Sequence, residues 1–190
     1  MSILADNIAK HRPPQWKCRP EILLRNNTVK PLHQVVPRII LGREWWDTTR
    51  QAAYLATDFH CIACGVPKAL ARWHQWLEGH EVYKIDYRAG RMTYIETVAL
   101  CHSCHNFIHN GRLKALLDKG EITEDKYFMI MAHGESVLKE AKLKKLSPYV
   151  GPMAKWEDWR LVLFGKEYPP LFANYEAWLV GYGYSGGGDE

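Results

Sequence analysis

The stretch Cys101-His102-Ser103-Cys104-His105-Asn106-Phe107-Ile108-His109 decides the fold, because it places two thiols and three imidazoles within nine residues. A second pair, Cys61-Ile62-Ala63-Cys64, stands upstream. Two C-x-x-C pairs separated by about 36 residues are typical of a four-thiolate metal site. The histidines that follow exceed what such a site needs. The sequence therefore predicts two metal sites, one that stabilises the fold and one that takes part in a chemical reaction.

The cysteines have the number and pairing of a closed tetrahedral zinc site made by Cys61, Cys64, Cys101 and Cys104. Four unrelated buried cysteines, or a redox C-x-x-C pair, are the alternatives. The two matched pairs and the lack of a thioredoxin-like pattern disfavour both. The fifth cysteine, Cys18, stands alone, and we expect an idle or buried thiol there.

The composition is that of a globular protein, with 190 residues, eight Trp, ten Tyr and a formal net charge of +4. This length suits one domain, or a compact domain with extensions. No apolar run approaches the roughly 18–20 residues of a membrane span. The sequence also begins without a signal-peptide pattern. We therefore expect a soluble, cytoplasmic protein whose basic front part is compatible with a phosphate backbone as partner.

The predicted organisation is α+β, with a strand–strand–helix unit in the middle, helices on both sides and an aromatic-rich C-terminal extension. The predicted segments are a basic N-terminal arm and helix (residues 1–57), a metal-binding core (58–120), a helical and aromatic-rich extension (121–184) and a disordered tail (185–190).

Hydrophobic periodicity places the elements. Helices are predicted over residues 44–57, 68–77 and 105–117, and over 123–146, where Thr123 can cap the helix and Gly134 can break it. Period-two alternation predicts strands over 80–87 and 92–100, joined by a turn at 88–91. The C-terminal extension predicts one strand, a turn at Pro169-Pro170 and a short helix.

Three histidines carry a spacing signal. His105 and His109 lie four apart, so a helix would place both imidazoles on one face, within reach of a single divalent ion. Two surface histidines at a helix start are the alternative. His80 opens the first predicted strand, and a neutral imidazole can accept a proton from water near pH 7, which makes it a candidate general base.

The other histidines carry weaker signals. His60 and His102 are expected to face solvent, and His133 to pack within its helix. No role is predicted for His11, His33 and His74.

The order of these motifs resembles that of the HNH nucleases, whose active site is a ββα-metal unit. The resemblance covers residues 58–112 and rests on the two C-x-x-C pairs, LEGHEVY (77–83), ALCHSCH (99–105) and IHNGR (108–112). The closing H-x-x-x-H also looks like that of colicin-type nucleases, which share the fold.

This resemblance implies metal-dependent hydrolysis of DNA phosphodiester bonds, by nicking or cutting. His80 would activate the attacking water. His105 and His109 would bind the catalytic ion, either Mg²⁺ or another divalent ion such as Mn²⁺, Ni²⁺ or Zn²⁺. That ion would hold the phosphate and neutralise the leaving oxygen. A phage, a mobile element or a restriction system would be the setting.

Two positions depart from the family pattern. Gly79 stands where many members have Asp or His before the base, so Glu81 can supply the carboxylate, or His80 can itself be the ligand. Glu96 stands near the position of the orienting Asn, and its carboxylate can accept from an imidazole N–H. The departures leave two alternatives open: a non-catalytic zinc-knuckle module that binds nucleic acid or protein, and an RNA-directed nuclease.

Four basic residues near the predicted site are candidates for contact with the nucleic-acid backbone. They are Arg88, Arg91, Arg112 and Lys114. Solvated surface charge is the alternative for each. The sequence predicts no oligomeric state.

Overall fold

The computed structural model describes residues 16–24, 28–144 and 149–181. The helices within these ranges are α1 (Pro37–Ile40), α2 (Gly42–Ala56), α3 (His102–Ile108), α4 (Asn110–Asp118), α5 (Glu124–Glu140) and α6 (Tyr175–Gly181). The strands are β1 (Glu78–Asp86), β2 (Arg91–Leu100), β3 (Arg160–Leu163) and β4 (Lys166–Tyr168). They form one sheet in the order β1-β2-β3-β4. The predicted α+β class is therefore confirmed. Within the described ranges, no helix has the length and apolar character needed to cross a membrane.

The predicted hairpin is present as β1 and β2, joined by a tight turn. The Asp86 carboxylate accepts the Ala89 N–H at 2.9 Å. Gly90 follows with φ +67°, a backbone conformation that residues other than glycine rarely adopt. A Cβ at Gly90 would also lie 2.7 Å from the Cβ of Ala154. Both the backbone angle and the close neighbour therefore require glycine at this turn.

The chain divides into two compact units that interleave along the sequence. Within the described ranges, the first unit holds residues 16–24, 49–80 and 97–144, and the second holds 28–48, 81–96 and 149–181. The predicted division of the chain into four consecutive segments stays a prediction. The predicted tail over 185–190 and most of the predicted arm lie outside the described residues.

The first unit is built around α3, which packs against α4, α5 and the 3₁₀ turn at Pro20–Leu24. Its fully buried side chains include Ile22, Leu100, Leu113 and Ile130. The predicted cap of α5 is confirmed, because the Thr123 hydroxyl accepts the Lys126 N–H at 3.2 Å. The break predicted at Gly134 does not occur. Gly134 instead lets α5 approach α3, since a Cβ there would lie 2.2 Å from the Phe107 ring.

The helix predicted over residues 68–77 is wrong. Only Lys68–Leu70 forms a 3₁₀ turn, and Trp73 has φ +81°, which a right-handed helix cannot accommodate. The Trp73 indole N–H donates to the Ser103 hydroxyl at 3.2 Å, so this segment is held by α3. The apolar residues at helical spacing do not share a buried face, because Leu77 is buried whereas Leu70 is 75% exposed.

Three further elements differ from prediction by more than two residues at an end or in number. The helix expected from His105 begins at His102 and is divided at His109, whose φ −87° and ψ 43° are not helical. The helix expected to reach residue 146 ends at Glu140, where the Leu143 N–H donates back to the Leu138 carbonyl at 2.9 Å. The single C-terminal strand is a hairpin, β3 and β4.

The second unit has its own apolar core, formed by Leu32, Val35, Tyr83, Met92, Trp159, Leu161 and Leu163. The Arg91–Thr93 part of β2 pairs in parallel with β3, and β3 pairs antiparallel with β4. A parallel pair needs a long crossover connection. Here the crossover includes α3, α4 and α5.

Replacing Gly134 by Ala should destabilise the first unit by about 1–3 kcal/mol, because the new methyl group overpacks the Phe107 ring. Urea denaturation measures this change. The matched control is Gly111→Ala in α4, where no heavy atom lies within 4 Å of the new Cβ. It should raise stability by about 0.4–1 kcal/mol through the unfolded state. Equal stability of the two variants would contradict the close approach of α3 and α5.

Candidate metal centres

The four predicted cysteines gather into one cluster, with their sulfur atoms all within 4.8 Å of one another. The Sγ atoms of Cys64 and Cys101 are 3.8 Å apart. Zn–S bonds of about 2.3 Å in a tetrahedron place the sulfurs about 3.8 Å apart, so this cluster fits a zinc ion. The predicted four-cysteine site is thus present as a set of residues that could hold zinc or a similar metal.

Backbone hydrogen bonds bring the two C-x-x-C turns together. In the first turn the Gly65 N–H donates to the Cys61 carbonyl at 2.8 Å, and Gly65 has φ +76°. The Ile62 N–H donates to the Ala99 carbonyl of β2 at 2.9 Å. Cys101 follows two residues later and is the N-cap of α3. The cluster therefore lies where the first turn, the end of β2 and the start of α3 meet.

The thiols of this cluster influence one another's protonation. Hydrogen bonds from the other thiols, Cys104 first, lower the pKa of Cys101, whereas the hydrogen bond with Cys101 raises the pKa of Cys104. The neighbouring thiols therefore favour a thiolate at Cys101, and binding an ion would release the protons that remain on the other thiols. His133 also reaches the cluster, with Nε2 at 3.4 Å from Cys104 Sγ. The sequence predicted only packing for His133.

The three histidines predicted at the chemical site also converge. His80 comes from β1, His105 from α3 and His109 from the junction of α3 and α4. The ring centroids are 5.4 Å apart for His80 and His105, 5.1 Å for His80 and His109, and 4.7 Å for His105 and His109. One nitrogen of each ring lies within 4.8 Å of the others, so the three could hold one ion.

Glu78 contacts the His105 ring of this cluster, although its sequence context predicts no role for it. Its Oε2 lies 2.5 Å from His105 Nδ1. This contact places the carboxylate directly against one ring nitrogen of His105. A carboxylate at one ring nitrogen is the arrangement that orients a metal-binding histidine and leaves Nε2 for the ion. Burial raises the pKa of Glu78, but His102 and His105 lower it more, so the group stays ionised.

A third group of possible ligands surrounds the other oxygen of Glu78. Its Oε1 lies 3.0 Å from His74 Nε2 and 2.8 Å from His102 Nδ1. These two nitrogens are 3.1 Å apart. Sequence reasoning missed this group, because His74 had no spacing signal in an irregular segment and His102 was expected to face solvent.

The two predicted catalytic carboxylates are not members of these groups. Glu81 Oε2 lies 2.5 Å from Arg38 Nη1, and the Glu81 side chain is buried. Successive side chains of a strand point to opposite faces, so Glu81 and His80 face apart. Glu96 is half-buried in β2. Among the described residues, the groups able to hold a metal include neither carboxylate. Their catalytic roles stay predictions.

The four predicted nucleic-acid contacts fall into two kinds. Arg88 and Arg112 are exposed. Arg91 pairs with Glu167 at 3.0 Å, and Lys114 pairs with Asp118 one turn along α4. Exposed pairs of this kind contribute little stability. Contact with DNA stays a prediction for all four.

Comparisons with protein-family models, curated proteins and solved structures find no match to this chain. The resemblance to HNH nucleases therefore rests on the sequence motifs themselves.

Replacing Cys61 by Ser should remove zinc from the four-cysteine cluster and lower the stability of the first unit. If free zinc stands at 100 times the dissociation constant, the bound ion contributes about 2.7 kcal/mol, and this is lost with the ion. Zinc content by mass spectrometry and thermal melting measure the two effects. Cys18→Ser is the matched control, because Cys18 is exposed and not a member of the cluster. A Cys61→Ser protein with full zinc content and melting temperature would contradict the assignment.

Proposed function

We propose that this protein is a metal-dependent endonuclease that hydrolyses DNA phosphodiester bonds. The observation that carries the proposal is the convergence of His80, His105 and His109. These are the residues to which the resemblance assigns the base and the ligands of the catalytic ion. The choice of DNA comes from the resemblance alone.

The ligand chemistry favours a transition ion over Mg²⁺. His105 and His109 would hold the ion, with Glu78 behind His105. Imidazole nitrogens suit ions such as Zn²⁺ and Ni²⁺, whereas Mg²⁺ prefers oxygen ligands and retains its water. When bound, such an ion polarises the phosphate and neutralises the leaving oxygen.

His80 is proposed as the general base. The residue is 6% exposed, which restricts the water that can reach it. A neutral His80 takes a proton from a water molecule as the water oxygen bonds to phosphorus. The bond from phosphorus to the leaving oxygen breaks, and that oxygen takes a proton from solvent. An ion on His105 and His109 would hold the phosphate beside His80, because their rings lie next to its own.

Aromatic and basic side chains of the first unit support a nucleic-acid substrate. The Arg72 guanidinium and the Lys126 Nζ each lie 5.1 Å from the Trp73 ring centroid. Trp76 is 60% exposed. Aromatic faces among basic groups are typical of surfaces that bind single strands through stacking and charge.

A non-cleaving binding module is the second candidate. It is favoured by the composition of the histidine cluster, whose possible ligands include no carboxylate among the described residues. Glu81 pairs with Arg38, and Gly79 has no side chain with which to replace it. Such a module would bind DNA through the same surface and leave it uncut.

Plasmid nicking tests the nuclease. The intact protein should nick supercoiled plasmid in Ni²⁺ faster than in Mg²⁺, and His80→Ala should lower the rate by about 10²–10⁴-fold, the usual contribution of a general base. His60→Ala is the matched control, because His60 is not a member of the three groups of possible ligands and its Nδ1 contacts the nearby backbone carbonyls of Thr57 and Asp58. It should cut at the normal rate.

Metal binding separates the two possible roles of His80. A base can be removed without loss of the ion, so His80→Ala should keep the affinity for Ni²⁺, while His105→Ala should lose it. A parallel loss in both variants would make His80 a ligand. If the intact protein cuts neither plasmid nor RNA with Mg²⁺, Mn²⁺, Ni²⁺ or Zn²⁺, the nuclease proposal fails. DNA binding without cleavage would then uphold the binding module.

A further inference from the structure

We propose that His74, Glu78 and His102 form a second histidine-containing site, which binds one first-row divalent transition ion. It would be separate from the four-cysteine cluster and from the cluster of His80, His105 and His109. The proposal does not depend on nuclease activity.

The three donor atoms form a nearly equilateral triangle. Their separations are 3.0 Å (His74 Nε2 to Glu78 Oε1), 2.8 Å (His102 Nδ1 to Glu78 Oε1) and 3.1 Å (between the two nitrogens). An ion with bonds of about 2.0–2.1 Å would lie roughly 1 Å above this triangle, with angles near 90° between its ligands. Two imidazoles and one carboxylate on one face of an ion, with open positions opposite, are a known ligand set for divalent transition ions.

The orientation of the His74 ring directs one nitrogen at the other two donors. Its Nδ1 lies 3.2 Å from the Trp76 carbonyl oxygen, so Nε2 is the nitrogen that faces Glu78 and His102. Imidazole nitrogens and carboxylate oxygens can each give a lone pair to the same divalent ion. The three atoms therefore converge on one point as a ligand set would.

The surrounding contacts hold the donors in place. The Trp76 ring stacks on His74, with centroids 3.6 Å apart and planes within 3°. The Trp73 indole ties the same segment to Ser103, next to His102. Side-chain exposures of 11% for His74, 19% for His102 and 22% for Glu78 leave the donors partly open. An ion can therefore enter, and water can complete its coordination.

The shared carboxylate links this site to the neighbouring histidines. Glu78 directs Oε1 toward His74 and His102, and Oε2 toward His105. An ion on Oε1 withdraws negative charge from Oε2. Occupancy of the second site should thus weaken metal binding at His105, and by linkage the reverse should also hold.

Counting bound Zn²⁺ by native mass spectrometry tests the site. Zinc is a suitable probe because it binds nitrogen and oxygen sites more tightly than most first-row divalent ions. The intact chain should bind three ions, and His74→Gln and His102→Gln should each bind two. His60→Gln, the matched control, should bind three. Retention of the four-cysteine ion during brief chelation verifies that each variant is folded.

The outcomes separate this proposal from the nuclease. His105→Gln should also lose one ion, and the His74→Gln/His105→Gln double variant should lose two. If His74→Gln and His102→Gln both keep three ions while His105→Gln keeps two, the second site is overturned and the nuclease proposal stands. If the His74 and His102 variants lose an ion but His105→Gln does not, the second site stands and the nuclease loses its metal ligands.

Discussion

Four sulfur atoms within 4.8 Å of one another are the constraint on which the arrangement of the first unit depends. They join a turn near residue 61 to the N-terminus of α3, because Cys101 is both a cluster member and the N-cap of that helix. Fixing this end of α3 fixes the direction in which His102 and His105 leave it. The histidine clusters are therefore consequences of where the helix begins.

Local sequence patterns were sufficient to predict the hairpin, the cysteine cluster and the cap at Thr123. Each of these depends on residues close in sequence or on a distinctive ligand spacing. The failures have non-local causes. The segment around Trp73 has helical spacing, but its side chains bond to α3. Gly134 looks like a helix breaker until the Phe107 ring is placed against it. Glu78 gave no signal, because its partners come from a loop and from a helix that only the fold brings near.

Glu78 shows how one half-buried charge can organise several imidazoles. Its carboxylate stays ionised because contacts with His102 and His105 outweigh the effect of burial on its pKa. Each oxygen then serves a different group of histidines. A carboxylate in this position can set the orientation and basicity of ring nitrogens without itself belonging to the His80 cluster.

The parallel pairing of β2 with β3 has a consequence for how the chain is made. β2 ends at Leu100, but its partner begins at Arg160, so all three helices of the crossover leave the ribosome first. The Arg91–Thr93 edge of β2 must stay without β3 through that interval, and unpaired strand edges attract other chains. The loop-closure entropy between these strands grows only slowly with length, and an early-folding helical insert would shorten the effective loop. The four-cysteine cluster holds the start of this insert, because Cys101 is the N-cap of α3. Metal supply during synthesis would then influence the yield of soluble protein as well as its final stability.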